Sequence, residues 1–531
     1  MGAQSGNECT FWYPSNAQSA ASDSATQTSK TSFEPASRVA PRARSLARTV
    51  NELSSPLNTK AIHKRVSVTM TADQDPWQTL GELIRFACPE IVHEGRRYEL
   101  DLTTMPMVPI RCGESLRGQT DLVLDRSSRW SEYYRCAAHS VMNSGVAMVN
   151  NSQTNDNLDK HSACDVLMRA MHPSDRHPTT VLLPEFQPYT EEQAADEQWA
   201  LEQKLIIEHT RHGADPARRV VDMDGVRAQM ARARRARTRF KAARAKVLVP
   251  GNYLKAVVER DFGGRFPLYL KKAFGGGGTD VYKVHSLEEL YARYDETNGS
   301  AFHLQEAVLD HDQFIRCMVI GSQLLPIHYR PEAPLPDRYD EIRPIVSGPP
   351  FDRLRSYALF VNAYHRWTFN SFEAFLKADS VQPIDYANAC PDSTFLSLHV
   401  HFPWLLCALV RWLAFCVILD VDLRVDLEQQ RYRSVLDDPS MPQLRKYEIC
   451  AQRSREYFQI ERFRAFCEAS LPDLDDAMIR FYDESIDRII ARAIADSGFA
   501  PHERGAFTDL YKRRMETHFR PNAKDYLATP P

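Results

Sequence analysis

One stretch constrains the fold of this chain more than any other: Phe266-Pro-Leu-Tyr-Leu-Lys-Lys-Ala-Phe-Gly-Gly-Gly-Gly-Thr-Asp-Val-Tyr-Lys-Val284, an apolar run that passes through lysines into consecutive glycines and out into a second apolar run. The pattern predicts two strands joined by a turn. Gly275, Gly276, Gly277 and Gly278 carry no Cβ, so their amides can approach an anion closely and take φ values closed to other residues. A lysine at the end of the first strand adds a point charge for the same anion. Two readings stay open on this stretch alone, a flexible hairpin and a phosphate clamp. The loop is neither a Gly-Lys-Ser/Thr phosphate loop nor the dinucleotide pattern G-x-G-x-x-G.

The segments after this hairpin come in an informative order. A short polar helix is expected from Ser286 to Asp295, then strands over Ala301–Val308 and Phe314–Gly321, joined by the acidic turn Asp310-His311-Asp312. A further strand, Leu324 to Arg330, ends in the cationic pair Tyr329-Arg330; a helical stretch from Arg353 to Arg366 then leads to Glu373 and to the segment Val381–Asp392. Upstream, Asp121–Arg126 and Val146–Asn151 read as strands, Asp159-Lys160 opens a helix, and Thr179–Pro184 closes the unit.

Taken together these residues resemble the ATP-grasp superfamily, which includes D-alanine:D-alanine ligases, glutathione synthetases and RimK-type glutamate ligases. The likeness spans about residues 76 to 400 and is nearest to bacterial ATP-grasp proteins of unassigned substrate. It implies an α+β fold with a pre-ATP-grasp α/β domain, a lid and a body, here followed by a C-terminal helical extension. By the same resemblance Lys160, Lys271 and the loop Gly275–Gly278 would hold the nucleotide phosphates. Gln305 and the backbone of Glu306, Ala307 and Val308 would meet the adenine, Asp312 the ribose, and Arg330 would be the catalytic cation. Asn388-Ala-Cys-Pro391 is similar to the end of the family's metal motif, and Glu373, 15 residues upstream of Asn388, suits its first acid. The second acid is missing: Tyr386 stands in its place, and the nearest carboxylate is Asp385. Adjacent strand residues face opposite ways, so Asp385 shares a metal with Asn388 only through a bulge or register shift. The resemblance implies ATP and one or two Mg2+ as cofactors. The activity it implies is a ligase that activates a small-molecule or peptide carboxylate as an acylphosphate for an amine or thiol. The alternatives are phosphoryl transfer without ligation and a non-catalytic nucleotide-binding regulator.

Composition sets outer bounds. A chain of 531 residues, 43% hydrophobic and 25% charged, has room for several globular domains. A net charge of −3 leaves no overall nucleic-acid footprint. The 11 cysteines show no C-x-x-C pair, which suits reduced thiols and a cytoplasmic protein. Leu405 to Leu419 is strongly apolar, but Arg411 interrupts it and it is short for a membrane span, so a buried helix is expected and no transmembrane segment.

The expected organisation is a disordered segment over 1–70, the pre-ATP-grasp domain over 76–188, a charged helical insertion over 189–250, the lid over 251–310, the body with the metal site over 311–400 and the helical extension over 401–531. The N-terminal segment is Ser-, Ala- and Thr-rich with scattered arginines, so an organelle-targeting role is its alternative. Arginines and lysines crowd 226–246; they form either a solvated helix paired with the acidic stretch before it or a platform for an anionic partner. His399 and His401 are expected to be satisfied polar histidines, and Arg411 with Trp412 either a buried ion-pair site or a carboxylate contact. The last helices are expected to cover the body and shape the acceptor side. Oligomeric state is not encoded in any of these patterns.

Overall fold

The computed structural model describes residues 60–531 apart from 71–74, 158, 185–190, 213–218, 248–249, 276–279, 298–299, 344–346, 424–428 and 530–531. All of them belong to one compact unit, Leu57–Pro531. The architecture is α+β and is built on three larger sheets.

The first sheet contains β1 (Ile62–Val68), β2 (Ile91–His93), β3 (Arg96–Thr104), β4 (Leu122–Leu124) and β5 (Ala147–Val149) in the order β2-β3-β1-β4-β5. All its pairings are parallel except β2 with β3. Leu122 and Leu124 pack with Trp77, Leu80 and Leu83 of the helix Asp75–Ala87, whereas Val123 packs with Ala138 and Val141 of Glu132–Asn143. Inside this sheet β4 is covered on both faces and all three of its residues are buried, which is why it is apolar throughout. The strand β1 corrects the expected disorder over 1–70. Its first half, Ile62-His-Lys-Arg, is polar and largely exposed, so it reads as a tail; only pairing with β3 and β4 makes it the middle of a sheet. Residues 1–59 lie outside the described residues.

The second sheet joins β6 (Thr180–Leu183), β9 (Leu268–Lys272), β10 (Val281–Val284) and β11 (Phe302–Glu306) in the order β10-β9-β11-β6, all antiparallel. Thr180–Leu183 therefore completes the lid sheet instead of closing the first unit. One face of this sheet, with Leu268, Leu270, Phe302 and Leu304, packs on Leu254, Val257, Val258 and Phe262 of the helix Pro250–Phe262 and on Leu290 and Tyr294 of Leu287–Asp295. Between β6 and β9 lie the helices Glu191–Glu208 and Met223–Val247 and the small hairpin of β7 (Thr210–His212) and β8 (Arg219–Val221). Leu205, Val226 and Met230 give the insertion a small core of its own, and Arg232, Arg234 and Arg235 are exposed. The side chains of 236–250, where the basic run continues, lie outside the described residues.

The third sheet is antiparallel: β12 (Gln313–Ile320), β13 (Gln323–His328), β14 (Phe369–Lys377) and β15 (Ser380–Asn388), in the order β13-β12-β14-β15. Asn150, at the end of β5, ties the first sheet to it. Its amide nitrogen donates to the carbonyls of Phe369 (2.7 Å) and Ala389 (2.6 Å), and its oxygen accepts from the amides of Thr368 (2.7 Å) and Phe369 (2.8 Å).

Behind this sheet runs the helix Phe402–Ile418. The helical run Phe395–Ile418 is 24 residues long, which corrects the expectation that it is too short to span a membrane, and 94% of its most apolar window is buried within the protein. Arg411 pairs with Asp475 at 2.6 Å, and His399 and His401 each bond a backbone carbonyl through Nε2, at 2.9 and 2.7 Å.

Candidate functional site

A cavity of about 310 Å³ lies between the second and third sheets. On the lid side it is lined by Tyr269 and Lys271 of β9, Val281 and Lys283 of β10, and Gln305 of β11. The two-residue period of a strand explains this set: the intervening leucines and aromatics face the lid core, so the odd-numbered side chains face the cavity. Lys271 is 7% exposed, and its Nζ donates to Gln305 Oε1 at 2.6 Å; Gln305 in turn donates to Thr180 Oγ1 at 3.0 Å. Lys272 points the other way, to Asp280 at 3.2 Å. Gly275, with φ +148°, lines the cavity at the start of the glycine loop; Gly276, Gly277 and Gly278 lie outside the described residues.

The body side supplies Phe314 and Arg316 of β12, Ser371, Glu373 and Phe375 of β14, and Asp385 and Asn388 of β15. The register of β15 holds the detail that the missing acid made critical. Ser371 pairs with Asn388 and Glu373 with Asp385, so β15 has one residue more than β14 between these pairs, and the ladder is irregular there. This extra residue lets Asp385 and Asn388 line the same cavity. Tyr386 is turned away: it is 2% exposed, its ring stacks on Phe372 (5.1 Å between centroids), and its hydroxyl is 3.0 Å from His177 Nε2.

Lys160 enters from a third element. It is the first residue of the helix Lys160–Met168, whose N-cap Asp159 accepts from the amide of Ser162 at 2.8 Å. Its own amide donates to the carbonyl of Ala273 (3.0 Å), and its Nζ reaches Asp385 Oδ2 at 2.6 Å. Across the wall Arg316 lies 3.5 Å from Glu373, its cross-strand partner, and donates to Ser371 Oγ at 3.1 Å.

Each charge here is set by burial and by its neighbours. Burial opposes the charge of Asp385, but Lys160 and Lys271 outweigh it and hold the carboxyl below its ordinary range. Burial pushes the Glu373 carboxyl up, and Arg316 only partly offsets this. Burial lowers Lys271, aided by the neighbouring Lys160, whereas burial opposes the charge of Lys160 but the Asp385 carboxylate outweighs it and raises the ammonium. His303, buried beside these ammonium groups with no hydrogen-bond partner on either ring nitrogen, is held well below its ordinary range by burial and then by Lys271 and Lys160.

The donor set suits a hard cation. Asp385 Oδ1 is buried without a hydrogen-bond partner, Glu373 stands opposite it in the ladder, and the Asn388 amide nitrogen donates to Ser371 Oγ (3.0 Å), which would leave its oxygen to face a cation. Among the described residues no group of three His, Cys, Asp or Glu side chains is placed to hold a metal, so a cation here depends on that amide oxygen.

Lys160, Lys271, Gly275, Gln305, Glu306, Val308, Glu373, Asp385 and Asn388 thus line one cavity, and Ala307, Asp312 and Arg330 do not. Arg330 lies past the end of β13 at His328, where its exposed side chain forms an ion pair with Asp340. Asp312 closes a turn, accepting from the amide of Ala378 at 2.7 Å. The buried guanidinium in this cavity belongs to Arg316, which sequence reading missed although an arginine inside the apolar run Phe314–Gly321 was the available signal. Arg338 and Glu332 line the mouth and carried no comparable signal. Among the described residues none beyond Asn388 lines this cavity, and the helix Phe402–Ile418 packs against β12 of the body sheet.

No protein-family model matches the chain, and no curated protein does. Among solved structures it is similar to ATP-grasp proteins. D-alanine–D-alanine ligase from Bacillus anthracis is 12% identical, with 76% of this chain and 100% of that one covered and a TM-score of 0.35. A RimK domain ATP-grasp protein from Sphaerobacter thermophilus is 14% identical over 62% of this chain and 92% of its own, with a TM-score of 0.35. The macrocyclase MdnC from Microcystis aeruginosa, solved with its precursor peptide MdnA, is 9% identical over 66% and 98%, with a TM-score of 0.37.

Proposed function

We propose that this chain is an ATP-dependent, ADP-forming ligase of the ATP-grasp kind, activating a small-molecule or peptide carboxylate as an acylphosphate for attack by an amine or thiol. One observation carries the reading: Lys160, Lys271 and Arg316 converge with Asp385, Glu373 and Asn388 on a single cavity between two antiparallel sheets. That set matches what phosphoryl transfer asks of a protein, which is positioning and charge stabilisation more than proton transfer. Lys271, held by Gln305, and Lys160, held by Asp385, would neutralise the phosphates from two separate elements. Tyr269, Val281, Phe314, Phe375 and Ile384 offer apolar surface to a base. Asp385, Glu373 and Asn388 would hold magnesium, which supplies charge neutralisation and polarises a phosphoryl oxygen. Arg316, fixed by Glu373 and Ser371, would stabilise charge on the transferring group, a role first expected of Arg330.

Carboxylate-dependent ADP release in the presence of hydroxylamine tests this reading, because an acylphosphate is trapped as a hydroxamate. A panel of amino acids, small peptides and simple carboxylic acids should give at least one hydroxamate. Nucleotide binding with no hydroxamate from any member favours the regulatory reading, which the buried Tyr386 at the second acid's position motivates. A phosphorylated product stable to hydroxylamine favours phosphotransfer.

A further inference from the structure

We infer that the site takes a single divalent cation with its nucleotide, and that the Lys160 ammonium occupies the position a second cation would hold. The inference rests on the nucleotide-binding reading and concerns what this chain does about its missing acid. Tyr386 cannot ligate: its hydroxyl is engaged by His177 at 3.0 Å, on the far side of the strand from the cavity. Among the described residues, the carboxylates that share the wall with Asn388 are therefore those of Asp385 and Glu373, with Glu332 out at the mouth.

Asp385 is arranged as a bridging carboxylate. Its Oδ2 carries the Lys160 ammonium at 2.6 Å, and its Oδ1 is buried with no hydrogen-bond partner. In two-metal sites the ions lie about 3.5–4 Å apart, a span a carboxylate bridges with one oxygen on each. Here one of the two oxygens already has its cation. Lys160 is not a loose surface side chain that happened to fold in: its helix is capped by Asp159, its backbone amide is bonded to Ala273, and its side chain is 12% exposed. Glu373, the other carboxylate, is shared with the buried Arg316. A second divalent ion would have to displace Lys160 from Asp385 and then sit beside Lys271 and Arg316, with no added negative charge from the protein to hold it. One ion bound through Asp385 Oδ1, Glu373 and Asn388 meets no such obstacle.

The number of Mn2+ ions bound per chain, counted by electron paramagnetic resonance of the full-length protein with a saturating non-hydrolysable ATP analogue, tests this directly. One tightly bound ion is expected, and two in the wild type overturn the inference. Lys160→Gln, which removes the charge and shortens the side chain by one bond, should weaken analogue binding about tenfold or more at low Mn2+. It should recover at high Mn2+ with a second ion bound, while Lys160→Arg stays at one. A Gln variant that binds one ion and the analogue with wild-type affinity counts against the idea, and the wild-type count decides the matter even if this variant does not fold. A fluorescent ATP analogue separates the two levels of failure: binding with two ions overturns the inference alone, whereas absence of nucleotide binding at any metal concentration overturns the ligase reading and this inference with it.

Discussion

Replacing Lys271 with alanine should weaken nucleotide binding far more than the same change at Lys272, although the two are adjacent. An ammonium about 4 Å from a phosphate charge at the effective dielectric of a protein site is worth about 4 kcal/mol. Part of this is given back because Lys271 is already hydrogen-bonded to Gln305 in the unliganded protein, at 2.6 Å. A net loss of about 2–3 kcal/mol remains, or roughly 30- to 150-fold in Kd. Lys272 makes only a half-exposed pair with Asp280, with side chains 36% exposed on each partner, so its loss should cost at most about 1 kcal/mol, roughly fivefold. Calorimetric titration of each variant with a non-hydrolysable ATP analogue reads the two numbers directly. Thermal melts accompany it, because Lys271→Ala also leaves the buried Gln305 oxygen without its donor, a stability cost of about 1–3 kcal/mol. Equal losses at the two positions, or a larger one at Lys272, would refute the face assignment of β9 and with it the cavity as the phosphate site.

The arginines offer a parallel contrast: Arg316→Ala should cut hydroxamate formation by about 100-fold or more, whereas Arg330→Ala, which breaks only an exposed pair, should stay within about threefold of wild type. Acid should destabilise the protein before its carboxylates titrate, because burial lowers His177 to about 4, His365 to about 3 and His399 to about 4. The unfolded chain takes up these protons near pH 6.5 and the folded one does not, so the stability is full above 6.5 and is lost as pH falls toward 4. Each histidine loses about 2 kcal/mol between pH 7.5 and 5, and urea midpoints at the two pH values should show it; a flat profile would contradict their neutral burial. Gly321→Ala should cost about 3 kcal/mol or more, since φ is +57° and a Cβ would stand 2.2 Å from Trp412 Cε3; Gly95→Ala, at φ +73° with nothing within 4 Å, should cost only about 1 kcal/mol in the same denaturation assay. Asn150→Leu should lose about 3–5 kcal/mol by leaving the backbone groups of Thr368, Phe369 and Ala389 without partners, and a change under about 1 kcal/mol would mean that this residue does not tie the sheets together.

Local pattern was enough to place the lid hairpin, because alternation of Leu268, Leu270 and Leu304 with Lys271 and Gln305 is a property of neighbours in the chain. It also placed the helix opened by Asp159-Lys160, where the cap is supplied by the residue just before it. The bulge in β15 was deducible as a condition: Asp385 and Asn388 have opposite parity for strand neighbours, so only an extra residue brings both to one face. Whether that condition is met could not be read locally, since it depends on the pairing of β15 with β14 and on the burial of Tyr386 against Phe372 and His177. Arg316, Arg330 and Asp312 show the same division. All three are charged residues beside apolar runs, and what separates the one in the cavity from the two outside it is cross-strand register and strand ends, which distant residues determine. The strand β1 was lost for that reason too: a half-polar segment next to a polar tail becomes the centre of a sheet only because β3 and β4, from farther along the chain, satisfy its backbone. Sequence alone thus determined which elements form and what chemistry their residues can supply, because those depend on period, turn residues and charge. Tertiary structure decided which of these side chains meet, because a salt bridge such as Lys160 with Asp385 is a contact between residues far apart in the chain that no local pattern encodes.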